Sequence, residues 1–133
     1  MGTYSSSRFH RVLVADDDPA LRSYLREWFS REEIAADVCP DGATALEAFS
    51  QGGHTLLILD MVMPGRTGIE ILSNLRSCGV KVPVILMSGS GPQIASHLRQ
   101  ELEPVEMLFK PFGGFELREA ISRAGQSLQG VAR

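Results

Sequence analysis

Four short apolar runs constrain this chain more than any other feature, because each stops abruptly at a polar residue. Leu56-Leu57-Ile58-Leu59 ends at Asp60, and Val12-Leu13-Val14-Ala15 ends at Asp16-Asp17-Asp18. Val84-Ile85-Leu86-Met87 ends at Ser88-Gly89, and Met107-Leu108-Phe109 ends at Lys110-Pro111. Apolar runs of this length, bounded by turn signals, suit strands buried on both faces. Beyond Asp60, Pro64 removes a backbone donor and Gly65 tolerates unusual dihedrals, so the strand must end close to Asp60.

The segments between the runs carry helical periodicity. Asp18-Pro19 supplies a cap and a first-turn proline for a helix packed through Leu21, Leu25, Trp28 and Phe29, with Trp28 read as core. Ile34 to Val38 is a weaker, partly alternating run suited to a sheet edge. Pro40-Asp41-Gly42 turns it into a second helix packed through Leu46 and Phe49 and stopped by Gly52-Gly53. A third helix places Ile69, Leu72 and Leu75 on one face, with Gly79 just past its end. Val82 to Met87 reads as the fourth strand, with Pro83 tolerated at its start. Pro92 to Leu102 carries Ile94, Leu98 and Leu102 at helical spacing, but enters through Ser88-Gly89-Ser90-Gly91, so this helix is expected to be the least firmly held. Val105 to Phe109 is the fifth strand, and Leu117, Ile121 and Leu128 mark a final helix. Five alternations of strand and helix with short connections predict an α/β fold, a doubly wound parallel sheet with helices on both faces in a three-layer sandwich.

Bulk properties narrow the function classes. A length of 133 residues fits one domain with a continuous core. With 22% charged residues, a net charge of −3 and no block of like charge, nothing in the composition suggests a nucleic-acid surface. Cys39 and Cys78 are far apart and outside any ligand spacing, which argues against a disulfide framework or zinc site and for reduced, cytoplasmic thiols. Residues 1–8 read as a disordered leader, despite a loose match of Met1 to Ser6 to the myristoylation pattern. No apolar run reaches the roughly 18 residues needed to span a bilayer.

In a parallel sheet all strand carboxyl ends share one edge, so Asp16, Asp17, Asp60, Ser88 and Lys110 are expected to converge there. Like charges about 4 Å apart repel by roughly 4 kcal/mol at an effective dielectric near 20, so three carboxylates should hold a proton or recruit a cation. All-oxygen ligands point to a hard ion, and Mg2+ suits a site with few carboxylates and room for water and phosphate. The set fits phosphoryl transfer, with Asp60 as nucleophile, Lys110 pairing with one phosphate oxygen and the Ser88 hydroxyl donating to another. Taken singly, Asp18 reads as a helix cap, Ser88 as a turn residue and Lys110 as a solvated charge. His10, His54 and His97 lie off the strand ends and read as incidental.

Asp16-Asp17 after an apolar strand, Leu-Asp-Met-Val-Met-Pro-Gly around Asp60, Ser88-Gly89 and Phe109-Lys110-Pro111-Phe112 together resemble the receiver domain of two-component response regulators, of the chemotaxis-regulator kind. The similarity covers residues 9–128, leaving 129–133 as a tail. The resemblance implies a flavodoxin-like sheet of order 2-1-3-4-5. It implies that Asp60 accepts a phosphoryl group from a sensor histidine kinase or histidine phosphotransferase, without the chain being an enzyme beyond self-dephosphorylation. It further implies Mg2+ held by Asp17, Asp60 and the Val62 backbone carbonyl, with Asp16 acting through water, and a cis Lys110-Pro111 peptide. Phosphorylation is then expected to draw in Ser88 and a side chain three residues before Lys110, remodelling the face of the fourth helix, fifth strand and final helix for a downstream protein target. Here that switch position is Met107, which lacks the usual aromatic ring. A stand-alone receiver, a receiver excised from a longer regulator or hybrid kinase, and an aspartate-nucleophile phosphohydrolase remain as readings. The last is disfavoured because Val62 stands where such an enzyme wants a second acid, and no cap insertion is present.

Overall fold

Residues 9–89 and 100–132 are described by a computed structural model of the chain. Five strands, β1 (Arg11–Ala15), β2 (Ala35–Cys39), β3 (Leu56–Asp60), β4 (Val84–Ser88) and β5 (Val105–Phe109), pair in parallel in the order β2-β1-β3-β4-β5. The helices are α1 (Pro19–Arg31), α2 (Gly42–Ser50), α3 (Gly68–Ser77) and α4 (Gly114–Ala132). The doubly wound α/β sheet expected from the alternation is therefore present, with β2 at the edge that its weaker pattern indicated. Of the helix expected over Pro92–Leu102, residues 92–99 lie outside the described part, as do Ser90, His97 and the leader; Gln100–Leu102 forms a short 3₁₀ turn.

Strand residues alternate between two apolar layers, as the two-residue period of a strand requires. Val12 and Val14, Leu56 and Ile58, and Ile85 and Met87 face one side, where Leu25, Trp28 and Phe29 of α1 and Leu117, Ala120 and Ile121 of α4 cover them. Leu13 and Ala15, Leu57 and Leu59, and Val84 and Leu86 face the other, covered by Ala45 of α2 and Ile71, Leu72 and Leu75 of α3. Being buried on both faces is why these strands read as continuous apolar runs. Trp28 packs edge-to-face on Phe29 with ring centroids 5.1 Å apart, as core.

Local chemistry sets the helix starts. The Asp18 side chain caps α1, accepting from the Ala20 N–H at 3.0 Å, with Pro19 in the first turn. Asp41 caps α2 through the Thr44 N–H at 2.8 Å, and Thr67 and Glu70 form a reciprocal capping box on α3. β4 begins at Val84, two residues later than the Val82 expected. Pro83 cannot donate to a ladder and stands just ahead of the strand, where its carbonyl accepts from the Leu57 N–H at 3.1 Å. At the end of α1, Glu33 takes a positive φ of 60°, a turn that the sequence marks with no glycine.

Candidate functional site

The register carries β1, β3, β4 and β5 to a common edge. Ala15 pairs with Leu59, Asp60 with Met87 and Ser88 with Phe109, so the polar residues that end these strands meet there. One carboxylate oxygen each of Asp16, Asp17 and Asp60 lies within 4.8 Å of the others. Lys110 reaches into this cluster, its Nζ donating to Asp16 Oδ2 at 2.8 Å and lying 3.3 Å from Asp60 Oδ2. Its own backbone N–H donates to the Ser88 carbonyl at 2.7 Å, which joins the ends of β4 and β5. The Lys110-Pro111 peptide is cis, as the resemblance implies.

Burial divides the three acids. Asp16 is fully enclosed and Asp60 nearly so, whereas Asp17 is exposed. Burial first, and the Asp16 charge second, push the Asp60 carboxyl above its usual range; the Val62 N–H, donating at 3.3 Å, and Lys110 pull it partly back. Burial opposes the Lys110 charge, but the hydrogen bond and field of Asp16, followed by Asp60, outweigh it and raise the ammonium. Among the described residues, Lys110 is the cation that bonds into this cluster of three carboxylates, and the shortfall is what a hard divalent ion would relieve. The donor set, all oxygen and partly open through Asp17, fits Mg2+.

The Asp16 carboxylate is committed on both oxygens, since Oδ1 accepts from the Asp18 N–H at 2.8 Å while Oδ2 holds Lys110. A direct bond from Asp16 to an ion would compete with these, whereas contact through a water would not. Around Asp60 the backbone is closely hemmed in. Gly68, the first residue of α3, approaches so tightly that a Cβ there would lie 2.5 Å from the Asp60 carbonyl oxygen.

Comparison with known proteins gives this geometry its context. The family model for the response regulator receiver domain matches residues 12–122. The chain belongs to the response regulator receiver family. Receiver domains are phosphoacceptors of two-component signalling and carry an acidic pocket of this kind. This one is 30% identical over 113 residues to sporulation initiation phosphotransferase F of Bacillus subtilis, covering 85% of this chain and 91% of that protein. It also resembles the receiver domain of the Francisella response regulator 1452, with a TM-score of 0.78 and 27% identity over 87% of this chain and 96% of that one. The receiver domain of Ssk1 from Saccharomyces cerevisiae, solved with the histidine phosphotransfer protein Ypd1, shares the fold at a TM-score of 0.75 and 19% identity, over 88% of this chain and 90% of that one. Other curated relatives are longer regulators, of whose length the chain spans 24% to 52%.

The receiver domain brings together Asp16, Asp17, Asp60 and Lys110, with buried Ser88 ending the neighbouring strand. Val62, two residues past Asp60, is 72% exposed at the mouth of the site. Met107 lies one strand position from Leu108 and packs, partly buried, in the layer under α2 and α3. Three residues escaped the sequence reading. Gly68 carried a signal, a glycine in the first turn of a helix where no special φ is needed, which marks close approach. Arg22, whose Nη1 donates to the Asp16 carbonyl at 3.0 Å, gave none, because a partly buried arginine on α1 looks like any surface charge. His54 is off the site but not incidental: its side chain is 2% exposed and its Nε2 lies 2.7 Å from Asp37 Oδ2.

Proposed function

We propose that this receiver domain accepts a phosphoryl group on Asp60 from a histidine kinase or histidine phosphotransferase. The observation that carries the reading is the Asp60 carboxylate at the end of β3, close to both the Lys110 ammonium and the Asp16 and Asp17 carboxylates. An Asp60 oxygen attacks phosphorus, the P–N bond of the phosphohistidine breaks, and the imidazole nitrogen leaves with the electron pair, giving an acyl phosphate. Lys110, already within reach of Asp60, then pairs with a phosphoryl oxygen, and the Ser88 hydroxyl donates to another. Asp17, Asp60 and the Val62 carbonyl would hold Mg2+, and Asp16, whose two oxygens are already engaged, would contribute through a water. When bound, that ion neutralises the incoming phosphoryl charge.

The raised Asp60 carboxyl supports this arrangement, since a carboxylate crowded by burial and by Asp16 gains most from an added cation. Residues 9–128 form the functional unit, working in the cytoplasm, and the phosphoryl group is lost again by self-hydrolysis. Output passes through Ser88 and Met107 to the face formed with β5 and α4. The high coverage of sporulation initiation phosphotransferase F, whose name records phosphotransfer, favours a second reading in which the group is relayed onward. A phosphohydrolase is disfavoured by Val62, an exposed aliphatic residue that can give a leaving group no proton.

The test is covalent labelling. Acetyl phosphate with Mg2+ should add one phosphoryl group, at Asp60, and Asp60→Asn should remove the label. Labelling that persists in the variant overturns the assignment.

A further inference from the structure

Asp17 differs from the other two acids of the site in what holds it. Asp16 is fixed by the Asp18 N–H and Lys110, and Asp60 by Lys110 and the Val62 N–H. The exposed Asp17 owes its direction to its backbone, and both peptides that flank it are pinned. The peptide after it is held by the Asp18 N–H bond to Asp16 Oδ1 at 2.8 Å. The peptide before it is held at its oxygen, where Arg22 Nη1 donates to the Asp16 carbonyl at 3.0 Å.

A peptide unit is planar, so holding the Asp16 oxygen sets the tilt of the plane that delivers the Asp17 Cα. The Asp16 N–H bond to the Cys39 carbonyl, at 3.1 Å, acts on the preceding unit and leaves that tilt free. Arg22 is itself well placed to act as a fixed post, because its backbone N–H closes the first turn of α1 on the Asp18 carbonyl at 3.0 Å. The guanidinium thus spans from a rigid helix back to the loop that carries the acids.

We propose that Arg22 is a positioning residue that orients Asp17 for the divalent cation. This rests on the reading of Asp17 as a ligand. Two effects of Arg22 have opposite signs. As a cation near the acids it disfavours another cation, so Coulomb's law alone makes its removal tighten Mg2+ binding. As the clamp on the peptide before Asp17, its removal loosens binding.

Mg2+ titration of the unphosphorylated protein, followed by amide chemical shifts, reads the sign directly. Arg22→Ala should weaken Mg2+ binding about tenfold, in keeping with the loss of groups that orient metal ligands. Arg22→Lys should restore most of it, since an ammonium can donate to the same carbonyl, and Arg22→Met, which keeps the apolar stem but has no donor, substitutes for the alanine variant if that one does not fold. In an Asp17→Ala background, Arg22→Ala should weaken the affinity no further and, with only the charge effect left, should leave it level or slightly tighter. Unchanged or tighter binding in Arg22→Ala overturns the proposal, and so does an equal loss in the Asp17→Ala background, which makes Arg22 a general brace. If Asp17→Ala alone leaves Mg2+ affinity at the wild-type value, the ligand reading falls and this proposal with it. If Asp17→Ala weakens binding and Arg22→Ala does not, only the role of Arg22 falls.

Discussion

Asp60 is held at some expense to the fold. Burial and the neighbouring Asp16 raise its carboxyl, so the folded state keeps this proton to higher pH than the unfolded chain, whose Asp titrates near 3.9. Between those two values the folded state binds more protons, so stability falls as pH rises through the window, and the deficit persists at neutrality. Asp60→Asn should therefore raise the urea midpoint at pH 7, with the gain shrinking as the pH is brought down towards 4. Gly68 is constrained by contact instead of charge. A methyl group there meets the Asp60 carbonyl at 2.5 Å and Leu86 Cδ2 at 3.2 Å, and backbone cannot rotate out of the way as a side chain can. Gly68→Ala should cost about 1–3 kcal/mol in urea unfolding and slow labelling by acetyl phosphate, because the displaced residue is Asp60, the proposed phosphoacceptor.

At the scale of elements, the joints between helices and strands are made by a few buried polar side chains. Arg76 on α3 is 8% exposed, and its guanidinium donates to three carbonyls, Val80 at 2.9 Å, Leu102 at 2.8 Å and Pro104 at 2.8 Å. It ties the end of α3 to both the entry of β4 and the entry of β5. Arg76→Met keeps the apolar stem but leaves those carbonyls without their donor, and should cost about 2–4 kcal/mol. Hydrogen exchange should then quicken first at the amides of β5, the strand whose entry is untied. On the opposite face, Arg118 of α4 pairs with both oxygens of Glu32, at 2.8 and 2.9 Å, and lies 5.2 Å over the Trp28 ring, closing α4 against α1.

For the molecule as a whole, the acid limb of stability should be governed by groups far from the acidic cluster of Asp16, Asp17 and Asp60. Asp37 is held below its usual range by the Arg11 guanidinium at 2.9 Å first and by His54 at 2.7 Å second. A depressed carboxyl stabilises the fold above the unfolded value near 3.9, and that contribution disappears as the pH falls through the folded value. Asp37→Asn should lower stability at pH 7 and flatten the loss seen on acidification. Because Asp37 is partly exposed, added salt should reduce the difference.

The strands and the convergence of Asp16, Asp60, Ser88 and Lys110 were legible in the chain because a doubly buried strand must be apolar throughout, and a parallel sheet must present its carboxyl ends together; the order of the strands across the sheet came only from the family resemblance. The cap at Asp18 was equally local, a side chain bonded to a backbone N–H two residues on; those at Asp41 and Thr67 are of the same local kind, though the sequence was read there only as a turn and a helix face. Glu33 in a left-handed turn and the late start of β4 were decided by what surrounds them. Arg22, Arg76 and the His54–Asp37 pair lay beyond the sequence for the same reason: a long polar side chain declares its partner only when distant segments are brought within about 3 Å, the reach of a hydrogen bond. The sequence by itself determined which chemical groups gather at one sheet edge, since periodicity and strand direction are local properties. Tertiary structure alone decided which carboxylate is buried, which is committed to lysine and which is left open, because burial and pairing depend on the neighbours that folding supplies.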